Sequence, residues 1–219
     1  MLQSKIISKS TEQLIHRNQQ FFTKLSASYD TRLFSYWLYS MQKHAIKQIL
    51  RDKKAADSSL KMLDIGCGTG QLISHLAKQL PNAKLYGIDL TEAMINRAKQ
   101  KLKQYKNITL QQASVENIPH KDKLFDYILT TEAFHHFPDP EKALLEMKRV
   151  LKDDGKIILI DINFGPGISY LFHKIEPGNK KIYSKKQFRQ LFKATGLHLI
   201  EQKRIGVVAI YNLLENFVG

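Results

Sequence analysis

Apolar residues follow two different rhythms along the 219-residue chain. In the first fifty positions they return every third or fourth residue. Leu14, Ile15, Phe21, Phe22 and Leu25 make one stripe, and Leu38, Met41, Ala45, Ile46 and Ile49 a second. That period predicts two amphipathic helices, near 10–25 and 31–50. The segment Ser26-Ala-Ser-Tyr29-Asp30 breaks them apart, and the polar stretch 51–59 reads as a linker. From residue 60 the rhythm changes. Short apolar runs predict strands near 61–65, 84–89, 108–112, 125–130 and 156–162. Helical spacing predicts helices near 70–80, 91–104 and 140–151. Pro81-Asn82 closes the first of these, and Pro140 opens the last. Such alternation predicts a parallel sheet with helices on both faces. Beyond Asn163, Gly165-Pro166-Gly167 opens a loop region. A helix near 184–195 starts at a Ser184 cap and stops at Gly196. Two last strands, near 197–203 and 206–212, are expected as an antiparallel pair at the sheet edge.

The first strand runs into Asp64-Ile-Gly-Cys-Gly-Thr-Gly70, and the second ends at Asp89. A strand, a glycine turn, a helix and an acid-tipped strand make a nucleotide-binding half-sheet. Glycines allow sharp turns and close approach of the backbone to a ligand. A carboxylate at Asp89 can accept from both hydroxyls of a ribose. The spacing Gly66-x-Gly68-x-Gly70 is not the longer dinucleotide pattern. No Lys or Arg falls between Asp64 and Gly70, so the loop is not built for phosphate. An acid beside such a loop suits a cationic ligand that carries a ribose. S-adenosylmethionine fits, with its sulfonium, ammonium, ribose and adenine.

With these features the chain resembles the class I S-adenosylmethionine-dependent methyltransferases, from about residue 21 to 196. It is most similar to the small-molecule branch that includes the ubiquinone and menaquinone biosynthesis C-methyltransferases. Asp64-Ile-Gly-Cys-Gly-Thr-Gly70 and Asp89-Leu-Thr-Glu-Ala-Met94 match the first two motifs. Val115-Glu-Asn-Ile-Pro119, Phe125-Asp-Tyr-Ile-Leu-Thr130 with His135-His136-Phe137, and Arg149-Val-Leu-Lys-Asp-Asp-Gly155 follow in family order. Where the family usually has Gly-Asp, this chain has Ala113-Ser114. A neutral hydroxyl then replaces the carboxylate that accepts from the adenine amino group, a weaker bond. Asp153-Asp154-Gly155 stands in place of a Pro-Gly-Gly turn.

The resemblance implies a three-layer Rossmann-like fold with seven strands, mostly parallel, and an antiparallel C-terminal edge pair. Residues 1–59 would form a helical cap over the cofactor and substrate cleft, and 60–219 the methyltransferase domain. Gly66, Cys67, Gly68 and Gly70 would bring backbone to the methionine and ribose, with Asp64 on the ammonium and Asp89 on the ribose. Leu90 and Met94 would sandwich adenine, while Ser114 and Val115 read its edge. Thr130 and Thr131 would line the methionine end, and Tyr29 would fold over the cofactor. His135 and His136 are the candidate catalytic bases. With Tyr170 and His173 they are also candidates for the substrate wall. No metal is expected.

Composition trims the alternatives. The one cysteine, Cys67, excludes a disulfide framework and a Cys-based zinc site. It also removes a cytosine-C5 mechanism, which needs a separate thiol nucleophile. Thr131-Glu-Ala-Phe134 is unlike the Asn/Asp-Pro-Pro-Tyr motif of base-amino methylation. Asp161 and Asn163 are a thin basis for a metal-dependent catechol site. No apolar run reaches the roughly 20 residues of a membrane span, and the N-terminus lacks a signal-peptide core. A cytoplasmic protein is expected, free or peripheral at the membrane. The formal charge of +14 is mostly dispersed lysine. Lys180, Lys181, Lys185, Lys186, Arg189 and Lys193 gather late in the chain and invite an anionic lipid or nucleic acid. The expected activity is methyl transfer to a small molecule, on carbon or oxygen, with a quinone-like, hydrophobic or anionic acceptor. An RNA- or lipid-directed methyltransferase and a non-catalytic cofactor-binding protein are the alternatives.

Overall fold

The computed structural model describes residues 9–26, 29–52, 60–165 and 180–216. The two N-terminal stripes become α1 (Lys9–Leu25) and α2 (Arg32–Arg51). The alternating part runs β1 (Lys61–Ile65), α3 (Gln71–Gln79), β2 (Lys84–Asp89), α4 (Glu92–Lys101), β3 (Ile108–Gln112), β4 (Phe125–Thr131), α5 (Pro140–Val150) and β5 (Leu151–Ile162). It continues with α6 (Lys185–Thr195), β6 (Leu197–Ile205) and β7 (Ala209–Asn216). Tyr170 and His173 lie outside the described residues.

All seven strands form one sheet in the order β3-β2-β1-β4-β5-β7-β6. The first five pair in parallel, while β7 runs antiparallel to both β5 and β6. Crossing from β2 on one side of β1 to β4 on the other makes a crevice at the carboxyl ends of the strands. That is where open α/β sheets bind ligands.

Alternation along each strand divides the core between two faces. Met62, Tyr127, Leu129, Ile158 and Ile160 face the cluster with α2, α3 and α4. Leu63, Ile65, Phe125, Ile128, Ile157 and Leu159 face the cluster with α5 and α6. On α2, the spacing of Met41, Ala45 and Ile49 puts all three on one buried face. β4 lies mid-sheet and is buried throughout.

The helices that deliver the crevice start cleanly. Asp139 caps α5 by accepting from the Lys142 N–H at 3.0 Å, with Pro140 in the first turn. Such a cap contributes about 1 kcal/mol. Ser184 and Gln187 form a reciprocal capping box on α6, and Gly196 ends it in the left-handed region.

Two expectations change. β5 begins at Leu151 rather than near 156. Phe125 pairs with Leu151 but Tyr127 with Lys156, so the expected Asp153-Asp154-Gly155 turn bows out inside the ladder. Lys152 Nζ fastens that bow to Asp126 at 2.6 Å. The final hairpin is longer than its apolar pattern suggested. Its turn falls at residues 206–208, and the last strand extends to Asn216.

Candidate functional site

The glycine turn after β1 is shaped by what lies behind it. Gly66 has φ +70°, and a Cβ there would meet the Ala133 Cβ at 2.5 Å. No other residue type lets the β1 and β4 tips come this close. Gly68, at φ +52°, donates its N–H to Asp89 Oδ2 at 2.9 Å. The Thr91 N–H meets Asp89 Oδ1 at 2.8 Å. Each carboxylate oxygen of Asp89 thus holds one backbone donor and keeps capacity for another.

Two cavities open at these tips. The larger, a cleft of about 740 Å³ partly open to solvent, is bordered by Gly66, Gly68, Asp89, Leu90, Met94, Ser114 and Val115. Glu132 and His136 border it from the β4 side, and Ile15, Asn18 and Phe22 from α1. The smaller, about 270 Å³, is lined by Gln42, Asp64, Cys67, Gln71 and Thr131. Tyr29, Gly66 and Gly68 border both.

Charge at the two cavities is one-sided. Among the described residues no Lys or Arg lines either one, while Asp64, Asp89 and Glu132 do. Burial, and then the nearby Asp89, push the Asp64 carboxyl up to about 8. Asp89 is also raised by burial, against the pull of the Thr91 and Gly68 N–H groups. Burial followed by Asp89 and Asp64 lifts the Cys67 thiol well above its ordinary value, which suits a packed cysteine rather than a nucleophile. Paired acids kept from water favour a cationic ligand. The donor set therefore fits S-adenosylmethionine, which brings positive charge and ribose hydroxyls together.

Of the candidate cofactor and catalytic residues that are described, all but three gather here. Thr130 is wholly buried and lines neither cavity, because it shares the Ile128 face of β4 while Thr131 shares the Leu129 face. Gly70 borders neither cavity either. It starts α3 at φ +78°, where a Cβ would strike Leu102 at 2.6 Å. His135 also lies behind the cleft. Its Nδ1 sits 2.6 Å from Asp161 Oδ1, with both side chains buried. Asp161 is therefore engaged with a histidine, and Asn163 bonds the Tyr183 carbonyl and Arg204. Among the described residues no group of three or more His, Cys, Asp or Glu could hold a metal.

His136 borders the cleft with its ring 4.0 Å from that of His135 and edge-on to Phe22 at 4.9 Å. Ser114 Oγ accepts from the Glu116 N–H at 3.2 Å and so caps the turn after β3. Tyr29 is held in place by its neighbour. Asp30 accepts from Thr69 Oγ1 at 2.7 Å and pairs with Lys101 at 2.7 Å, which ties the corner between α1 and α2 to the glycine loop.

Sequence reasoning expected a helical cap over the cleft but named none of its α1 lining residues, Ile15, Asn18 and Phe22, and it missed Glu132, Gln42 and Gln71. Glu132 holds φ +57° just past the β4 tip, a conformation uncommon outside glycine. A signal for α1 was present: Asn18 is a polar residue inside the apolar stripe.

Comparison with known proteins agrees with this geometry. The family described as a methyltransferase domain matches residues 56–205. The demethylmenaquinone methyltransferase of Staphylococcus aureus (strain JH9) is 31% identical over 157 residues, 70% of this chain. The match spans 62% of that relative's length. A structure described as a complex of the Haloferax volcanii Trm112 methyltransferase activator with a methyltransferase superposes with TM-score 0.76. It is 17% identical and covers 89% of this chain and 96% of that one. An S-adenosylmethionine-dependent methyltransferase from Aquifex aeolicus gives TM-score 0.70 at 21% identity, over 88% of this chain and 97% of its own. With the glycine turn, the acid-tipped second strand and the seven-stranded order all in place, the chain belongs to the methyltransferase-domain family.

Proposed function

We propose that this chain transfers a methyl group from S-adenosylmethionine to a small, largely apolar acceptor. The observation that carries the reading is the acid pair Asp64 and Asp89 in cavities that no Lys or Arg lines among the described residues. When bound, S-adenosylmethionine supplies a methyl carbon already activated by its sulfonium charge. Asp64 holds the ammonium, and Asp89 accepts from the ribose hydroxyls. Leu90 and Met94 flank the adenine, with Met94 suited to a ring contact through its sulfur. The Val115 backbone and Ser114 meet the adenine edge. Thr131 and Cys67 line the methionine end, where the first N–H groups of α3 favour a carboxylate. Tyr29 and α1 wall one side of the cleft.

Alignment is the main catalytic task, worth up to roughly 7–11 kcal/mol in ideal cases. His136, at the cleft wall, takes the proton that the acceptor releases. Asp161 fixes the His135 ring against which His136 packs.

The name of the Staphylococcus relative points to a quinone acceptor, and the apolar wall of Ile15, Phe22 and Phe137 supports a flat ring. Asp89 and Glu132 make an anionic acceptor the poorer fit. The late lysines favour RNA or lipid only as a contact outside the cleft.

Calorimetric titration with adenosylhomocysteine tests the pocket. Wild type binds, and Asp89→Ala binds at least tenfold more weakly. Wild-type affinity in the variant, or binding of a nicotinamide dinucleotide instead, would overturn the assignment. Turnover with a panel of quinols, phenols and lipids then separates an enzyme from a cofactor-binding protein.

A further inference from the structure

Asn18 interrupts the apolar stripe of α1. It lies three residues after Ile15 and four before Phe22, so the three share one face, and all three border the cleft. The side chain is 3% exposed. Its Nδ2 donates to the His136 carbonyl at 3.2 Å. A carbonyl oxygen can only accept, so this bond fixes which end of the amide faces which way. The other end, Oδ1, is buried with no hydrogen-bond partner among the described residues. Buried side-chain acceptors are nearly always paired, so an orphan beside a ligand cleft calls for an explanation. Leucine would complete the stripe and leave no orphaned side-chain oxygen, at the cost of the bond to the His136 carbonyl.

We infer that Asn18 is a specificity-determining residue: its Oδ1 accepts a hydrogen bond from an O–H or N–H group of the methyl acceptor, beside His136. This rests on the methyl-transfer reading and narrows the acceptor class. Position favours the acceptor over the cofactor. Gln19, the next residue, turns the other way and donates to the Leu90 carbonyl at the β2 tip, 3.4 Å away. Asn18 instead holds the β4 side, where Glu132, His136 and Pro138 form the wall. Among the described residues no donor bonds Oδ1, so its donor is assigned to the ligand. The acceptor is then a neutral, apolar-ringed molecule with at least one hydroxyl or amine. Its ether or fully substituted analogue lacks the donor and leaves the orphan buried.

The test uses the full chain saturated with adenosylhomocysteine and two probes, 1,4-dihydroxynaphthalene and 1,4-dimethoxynaphthalene, titrated without oxygen. Wild type should bind the dihydroxy compound at least tenfold more tightly. Asn18→Leu should cut that preference below threefold and change adenosylhomocysteine affinity less than twofold. Asn18→Asp keeps an accepting oxygen and should keep most of the preference, which covers the case where the leucine variant does not fold. A preference unchanged in Asn18→Leu would reduce Asn18 to a latch between α1 and His136. A matching loss of adenosylhomocysteine affinity would assign it to the cofactor. Failure of both naphthalenes to bind would also overturn the inference. Failure of wild type to bind adenosylhomocysteine would sink the methyl-transfer reading itself.

Discussion

Asp64 shows how a buried acid proposed to bind a cation strains the protein that carries it. Its carboxyl moves from 3.8 to about 8, through burial and then Asp89. Between those values the folded chain binds more protons here than the unfolded chain does. Stability therefore falls as pH rises through that window. Asp64→Asn removes the titration. At pH 8 the apoprotein should gain about 2 kcal/mol, or roughly 4–8 °C in melting temperature for this length. At pH 4 wild type and variant should melt alike, and adenosylhomocysteine should bind the variant at least tenfold more weakly. Equal melting at both pH values would show that Asp64 is not held protonated. The residue was legible in the sequence because an acid before a glycine turn is a local pattern. Asn18 was not, since its meaning depends on His136, 118 positions away. Thr130 and Thr131 could not be told apart until the face of β4 that each occupies was known.

At the scale of elements, the corner between α1 and α2 is coupled to the glycine loop through Asp30, Thr69 and Lys101. Both charged side chains are about one-third exposed, at 34% for Asp30 and 32% for Lys101, so solvent screens the pair. Asp30→Ala should therefore lower stability by only ~1 kcal/mol. It should also raise hydrogen exchange in α1 while leaving β1 and β4 protected, and weaken adenosylhomocysteine about threefold. Unchanged exchange in α1 would mean that the corner is held by packing alone. Periodicity located nearly every helix and strand, because each carries its own apolar stripe. The start of β5 escaped it, since Lys152-Asp-Asp-Gly155 has the composition of a turn and joins the ladder only through a bow against Asp126. The end of β7 escaped it for a related reason. Glu215 and Asn216 are polar yet pair with His198 and Leu197 across the hairpin.

For the molecule as a whole, the chain carries a formal charge of +14, yet no described Lys or Arg lines either cavity. α6 presents Lys186, Arg189 and Lys193 outward at helical spacing, opposite buried Phe188 and Phe192. Such a stripe is solvated surface by default. The triple glutamine variant should keep its melting temperature within about 1 °C and its turnover intact. Loss of binding to anionic vesicles or RNA in that variant would give the stripe a partner. The sheet topology was legible as alternation, and the proposed cofactor half of the site as motifs. Of the proposed acceptor half only His136 was legible, because the rest is assembled from α1, the β4 tip and side chains with no shared spacing. The sheet order also has a bearing on biosynthesis. β7 is the last described strand to leave the ribosome, yet it lies inside the sheet, between β5 and β6. Until residues 209–216 emerge, Ile158 and Ile160 sit on a strand with one bare edge, and β6 has nothing to zip against. A nascent chain stalled just short of that point would be open to edge-to-edge aggregation.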